Sequence, residues 1–120
     1  ARVLATDISD DALELTEKNI EHNRISNVAT LRSNLFESIP DGMKFDCIIS
    51  NPPYITDAEY AELEETVTLW EDKGALIAED NGLAIIKKII AQAPQFIQTN
   101  DEMRAKNIPQ LVIEIGYAQG

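Results

Sequence analysis

The chain has 120 residues, 44% of them hydrophobic and 26% charged, a makeup that suits one folded domain and excludes a disordered or fibrous chain. Its 21 Asp and Glu outnumber 10 Lys and Arg, for a net charge of −11. That balance argues against a sequence-independent grip on nucleic acid, which needs a basic face.

The longest apolar runs, Cys47-Ile48-Ile49 and Leu83-Ala84-Ile85-Ile86, fall well short of the ~20 residues that cross a bilayer. No signal peptide is visible. Cys47 is the single cysteine and His22 the single histidine, so neither an internal disulfide nor a zinc site is expected. These features predict an intracellular, metal-free chain. It opens on Arg2-Val3-Leu4-Ala5 and closes just after Leu111–Ile115, flush against core-type strands at both ends. A piece cut from a larger domain is therefore expected.

In chain order, Val3 to Ala5 begin a strand that ends at the acidic Asp7. Ser9, Asp10 and Asp11 then form a helix N-terminus: a capping hydroxyl followed by carboxylates facing the positive dipole end. Leu13, Thr16 and Ile20 recur at helical spacing up to Asn23, while Glu14, Glu17, Lys18 and Glu21 stay polar. Ser26-Asn27 turn into a second strand over Val28 to Arg32. Asn34-Leu35-Phe36 leave it, and Pro40-Asp41-Gly42 make a turn.

Phe45 to Ser50 predict a third strand, apolar enough for burial on both faces. It must stop at Asn51-Pro52-Pro53-Tyr54, because adjacent prolines cannot donate to a ladder. Thr56 and Glu59 form a capping-box pattern opening a short acidic helix through Glu65. Residues 66 to 80 read as loop. A helix follows from about Leu83 to Phe96, with Leu83, Ile86, Ile89, Ile90 and Ala93 on one stripe and Pro94 limiting its end. Residues 98 to 109 read as a surface connection, and a last strand spans 110–115.

Apolar strands alternating with amphipathic helices are the grammar of an open, mostly parallel α/β sheet. Such sheets bind ligands at the carboxyl ends of their strands. Asp7, Asn34 and Asn51 all stand at predicted strand ends. Asp7 has two readings: a carboxylate accepting both ribose hydroxyls of a nucleotide-type ligand, or a cap for the following helix. Asn51-Pro52-Pro53-Tyr54 is the more specific signal. Stiff prolines leave carbonyls without ladder partners, Asn adds a side-chain carbonyl and Tyr a flat surface. That cluster of acceptors suits a planar –NH2 group whose two hydrogens must be held.

This motif, after Phe45-Asp46-Cys47-Ile48-Ile49-Ser50, resembles the amino-methylating class of S-adenosylmethionine-dependent methyltransferases. Within that class the chain is similar to the HemK/PrmC protein-(glutamine-N5) methyltransferases, which modify peptide chain release factors. The similar segments are Ala5–Ser9, the Ala12-to-Asn23 helix, Ser33-Asn34-Leu35-Phe36, Trp70–Leu76, Asp80–Leu83 and Glu114–Gly116, so the resemblance covers nearly the whole chain. Asn-Pro-Pro-Tyr alone is shared with nucleic-acid amino-methyltransferases; the Glu71-to-Leu83 stretch favours the glutamine enzymes.

The resemblance implies that residues 1–120 are part of a single catalytic domain with a partial Rossmann-like methyltransferase fold. Its sheet would be mostly parallel and would lack its first strand. The family's glycine-rich first motif, its N-terminal helical domain and the antiparallel end of the sheet have no counterpart in these residues. By the family's sheet order, the strands ending at Asp7 and at Ser50 flank that first strand, and these 120 residues alone are expected to be inactive. The cofactor implied is S-adenosylmethionine. Asp7 would hold its ribose, Leu35 would lie beside its adenine and Asn34 near the exocyclic amine, where many relatives carry Asp. Asn51 would border methyl donor and substrate and, with Pro52 and Tyr54, do the catalytic work; Pro53 would complete the substrate amide site. The implied partner is a release factor, acting in the cytoplasm or an organellar matrix, with no membrane and no direct nucleic-acid binding.

Two other readings stay open at this level. One is an amino-methyltransferase of adenine or guanine in RNA or DNA; the other is a non-catalytic remnant. Elsewhere, His22 is expected to face solvent, Trp70 to serve packing, Cys47 to lie in the core, and the carboxylates at 62, 64, 65 and 71 to form a solvated face.

Overall fold

The computed structural model describes residues 1–53, 83–98 and 101–119. Tyr54, the capping box at Thr56 and Glu59, the acidic helix, the loop over 66–80, Trp70 and Glu71 lie outside the described residues. The chain divides into two compact units, Ala1–Met43 and Lys44–Gly120, each built on a pair of parallel strands.

In the first unit, β1 (Val3–Asp7) and β2 (Val28–Arg32) pair in parallel, from Val3 opposite Val28 to Asp7 opposite Arg32. A parallel pair needs a crossover, and α1 (Asp10–His22) supplies it, packing on both strands. Ser9 is its N-cap: the Oγ accepts the Ala12 N–H at 3.3 Å, and Asp10 and Asp11 occupy the first turn. Leu13, Thr16 and Ile20 are half-buried, as the spacing requires, and His22 is exposed. Glu17 Oε1 accepts the Thr30 hydroxyl at 2.7 Å and ties the helix to β2.

The helix ends in a Schellman motif. Arg24 takes a left-handed φ of 52° and donates to the Glu21 carbonyl, while the Ile25 N–H reaches the Ile20 carbonyl at 2.9 Å. The expected turn at Pro40 closes through a Met43 N–H to Pro40 carbonyl bond, with Gly42 at φ 78°. That conformation is costly for any residue with a Cβ.

The second unit holds β3 (Ile48–Ser50) and β4 (Leu111–Ile113), again parallel, with Ile48 opposite Leu111 and Ser50 opposite Ile113. Between them in sequence lie α2 (Ala84–Gln92), a 3₁₀ turn (Ala93–Gln95) and α3 (Asp101–Ala105); a second 3₁₀ turn, Tyr117–Gln119, follows β4. Ile86, Ile89 and Ala93 form its buried core.

Several expectations change here. The third strand is shorter than Phe45–Ser50 because the chain switches partners. Phe45 makes an isolated parallel bridge to Ile97, and the ladder to β4 starts only at Ile48. In the gap, the Gln110 side-chain amide donates to the Asp46 carbonyl at 3.3 Å and to the Gln98 carbonyl at 2.7 Å, doing what a ladder would do.

Cys47, expected in the core, is exposed, and Ile49 is 78% exposed. Both project from the same face of a pleated strand, so only the Ile48 and Ser50 face is covered. Ile90 leaves the predicted stripe at 54% exposure. The continuous helix to Phe96 gives way at Ala93 to a 3₁₀ turn, since Pro94 has no N–H to return to the preceding turn.

The surface connection over 98 to 109 contains α3, which sequence patterning missed. Its first turn carries Asp101 and Glu102, and Lys106 pairs with Glu102 at 2.6 Å. Asn107 closes it in the left-handed region at φ 53°, with Ile108 donating to Met103. The last strand is Leu111–Ile113 rather than 110–115, although the Glu114 N–H still donates to the Ser50 carbonyl at 2.9 Å.

Candidate cofactor and substrate residues

The first unit brings Asp7, Asn34 and Leu35 together at the carboxyl ends of β1 and β2. Asp7 is the last residue of β1 and is exposed. Its Oδ1 accepts the Ser9 N–H at 2.8 Å, and among the described residues Oδ2 has no hydrogen-bond donor. The two readings of Asp7 can now be weighed. Ser9 caps α1 with its own hydroxyl, so the Asp7 carboxylate is not consumed as a helix cap. One oxygen braces the turn and the other, among the described residues, is left as an acceptor. That fits a ribose hydroxyl.

Asn34 follows β2 and is exposed. Its Nδ2 donates to Glu37 Oε1 at 3.0 Å, which leaves Oδ1 as an acceptor with no donor among the described residues. An amide in this orientation offers an exocyclic amine the same oxygen that an aspartate would. Leu35 is half-buried and sits at a left-handed φ of 52°.

Ser33, which sequence reasoning did not single out, holds these three residues in one local network. It is 4% exposed. Its N–H donates to the Asp7 carbonyl at 2.9 Å, its Oγ donates to the Leu35 carbonyl at 2.9 Å, and the same Oγ accepts the Ser38 N–H at 3.0 Å. A small hydroxyl residue directly after a strand and before Asn-Leu was the available signal. On the outer side of the same edge, Arg32 Nε meets Asp10 Oδ1 at 3.0 Å and donates to the Ile8 carbonyl at 3.2 Å.

The second unit carries Asn51, Pro52 and Pro53 directly after β3. The Ser50 carbonyl takes the last inter-strand N–H, from Glu114, and the chain then leaves the ladder. Pro52 is buried and Pro53 half-buried, while Asn51 is exposed. Among the described residues the Asn51 side chain has no hydrogen-bond partner and no N–H donates to the Pro52 carbonyl. Both oxygens are thus available acceptors among the described residues, on consecutive residues of a backbone stiffened by two prolines. Tyr54 lies outside the described residues.

Among the described residues no group of His, Cys, Asp and Glu could hold a metal ion, and no helix is long and apolar enough to cross a membrane.

The comparisons with known proteins bear on this arrangement. The family model for the methyltransferase small domain matches residues 1–76. The release factor glutamine methyltransferase of Lactococcus lactis is 40% identical over 98% of this chain and 40% of its own length. The bifunctional methyltransferase of Rickettsia typhi is 37% identical over 98% of this chain and 21% of its own. The ribosomal protein uL3 glutamine methyltransferase of Francisella tularensis is 35% identical over 99% of this chain and 35% of its own. The chain thus spans less than half the length of these relatives. With strand-end acceptors at Asp7, Asn34 and Asn51 and the family match running through all three, the chain belongs to the methyltransferase small domain family.

Proposed function

We propose that this protein methylates the side-chain amide nitrogen (N5) of the glutamine in the Gly-Gly-Gln motif of peptide chain release factors, and that these residues form part of its single catalytic domain. The observation that carries the reading is the exit of β3. Among the described residues Asn51 Oδ1 and the Pro52 carbonyl have no hydrogen-bond partner, and the two residues are consecutive; a primary amide has two hydrogens to place. The glutamine methyltransferase names borne by the Lactococcus and Francisella relatives support a protein acceptor.

The acceptors of the first unit fit S-adenosylmethionine. Asp7 Oδ2 would accept from its ribose, Asn34 Oδ1 from its adenine amine, and Leu35 would lie along the base. When bound, S-adenosylmethionine supplies an electrophilic methyl carbon on a positively charged sulfur. The chain's own task is to prepare a poor nucleophile, because the lone pair of an amide nitrogen is delocalised into its carbonyl. Asn51 and Pro52 hold the two N–H groups and so orient that lone pair, while Pro53 and Tyr54 close the amide site. Positioning of this kind supplies roughly 7–11 kcal/mol in favourable cases. As positive charge grows on the nitrogen, the same two oxygens stabilise it. Release factors act in the cytoplasm and in organellar matrices, which is where the protein would work.

A second acceptor, a glutamine of ribosomal protein uL3, is favoured by the Francisella relative. The full-length protein, incubated with methyl-labelled donor and separately with a purified release factor, uL3, RNA and DNA, separates these readings. Label is expected on the release-factor glutamine. Label on uL3 alone moves the substrate to the ribosome, and label confined to nucleic acid, against the charge of −11, refutes a protein acceptor.

A further inference from the structure

Ser33 is buried and polar, with its N–H and its hydroxyl both engaged, yet its side chain presents no donor to a ligand. Its three hydrogen bonds end on groups that do: the backbone of Asp7, the backbone of Leu35, and Ser38, which closes the turn carrying Asn34. Leu35 is the point of strain. A φ of 52° is uncommon for a residue with a branched side chain. Glycine would take it freely, so a leucine there needs surrounding structure to hold it. The hydroxyl of Ser33, donating to the Leu35 carbonyl from a site that is 4% exposed, is that hold. It is shielded from competing water, and the same oxygen accepts the Ser38 N–H.

We infer that Ser33 is a positioning residue for recognition of the adenine base of the methyl donor, acting through the Asn34–Leu35 turn. The inference rests on the reading of Asp7, Asn34 and Leu35 as cofactor residues. Ser33 sets the Asn34 amide and the Leu35 side chain in fixed register with the Asp7 carboxylate, since one residue bonds to both strand ends. Without its hydroxyl, Leu35 relaxes from the left-handed region and the turn carries Asn34 away, while Asp7 keeps its own bond to Ser9. Base selectivity should then fall more than ribose affinity.

The test compares full-length wild type with Ser33→Ala. Calorimetry measures binding of S-adenosylhomocysteine and of S-inosylhomocysteine, whose base has an oxo group in place of the amine. Wild type should prefer the adenosyl ligand by about tenfold, the worth of one well-placed hydrogen bond to a group that would otherwise meet a repelling partner. Ser33→Ala should bind the adenosyl ligand less well and lose most of that preference, with kcat at saturating donor little changed. Equal loss for both ligands is the signature of general destabilisation and overturns the inference, as does no loss at all. Wild type that binds neither ligand overturns the cofactor reading beneath it and the inference with it. Amide hydrogen exchange on wild type gives a check that does not depend on the variant folding. The Ser38 N–H should be protected without ligand, and exchange at the rate of an open chain overturns the proposed hold.

Discussion

Replacing Asp7 by Ala should separate binding from folding. In the folded chain the carboxylate does two things: Oδ1 accepts the Ser9 N–H at 2.8 Å, and Oδ2 stands free among the described residues. Loss of the first contact leaves an exposed N–H that water can satisfy, while the Ser9 hydroxyl still caps α1. The cost to stability should therefore stay below about 1 kcal/mol. Loss of the second would remove the proposed charge-assisted hydrogen bond to the ribose, worth about 1.5–3 kcal/mol, or roughly 10- to 100-fold in affinity at 1.36 kcal/mol per decade. Asp7→Asn sharpens the comparison. It keeps an oxygen for Ser9 but puts an NH2 where Oδ2 stood, so it should resemble wild type in stability and approach Ala in binding. Calorimetry with S-adenosylhomocysteine, alongside urea unfolding of the same full-length samples, measures both quantities. Affinity unchanged in both variants would reduce Asp7 to a brace for Ser9 and refute the ribose role.

Asn51→Ala should lower kcat by about 10²–10³, as loss of a preorganised polar group does elsewhere, with the fold intact because the side chain is exposed and unpaired among the described residues; turnover near that of wild type in a labelled-methyl assay would remove Asn51 from the chemistry. Ile89→Ala should cost about 2–5 kcal/mol in urea unfolding, since Ile89 is 2% exposed. Ile90→Ala, at a position 54% exposed, should cost under about 0.5 kcal/mol; similar losses from the two would mean that the buried face of α2 has been assigned wrongly.

What the sequence revealed depended on how local the determining interactions are. The first unit was legible almost throughout. A capping serine, two carboxylates in a first turn and an apolar stripe are all set within a dozen neighbours, and the structure places Ser9, α1 and both strands where those signals put them. The second unit was less so, because its departures depend on residues distant in the chain. Phe45 pairs with Ile97 and Ile48 with Leu111, so the third strand breaks where its partner changes, and Gln110 fills the break. Nothing in Phe45–Ser50 announces that. Burial was misjudged for a related reason. An apolar run can serve one covered face or two, and only the structure shows Cys47 and Ile49 on the open side. The short helix α3 was hidden by Pro109, which bars continuation but leaves a five-residue helix ahead of it untouched. At the proposed site, the candidate side chains were visible as strand-end polar residues. Their support was not: Ser33 matters through backbone bonds that no side-chain pattern encodes.

The chemistry of the strand ends also limits what can bind there. At β1 the last carbonyl is used by the Ser33 N–H, and at β3 the last carbonyl is used by the Glu114 N–H. The one ladder each strand makes runs up to its site residue, and past Asn51 come carbonyls that proline rings cannot match with donors. The Asn34 NH2 donates to Glu37, leaving its oxygen as an acceptor among the described residues. Acceptors predominate at both edges: Asp7 Oδ2, Asn34 Oδ1, Asn51 Oδ1 and the Pro52 carbonyl. A phosphate would require the reverse, clustered N–H donors or a helix N-terminus aimed at the anion. Hydroxyls, amines and amides bring hydrogens, and a positively charged sulfur or a nitrogen gaining charge is stabilised by oxygens. The acceptors suit any group that brings hydrogens, a base amine as well as a primary amide; what weighs against a nucleic-acid strand is its phosphates, which would meet like charge in a chain of net −11.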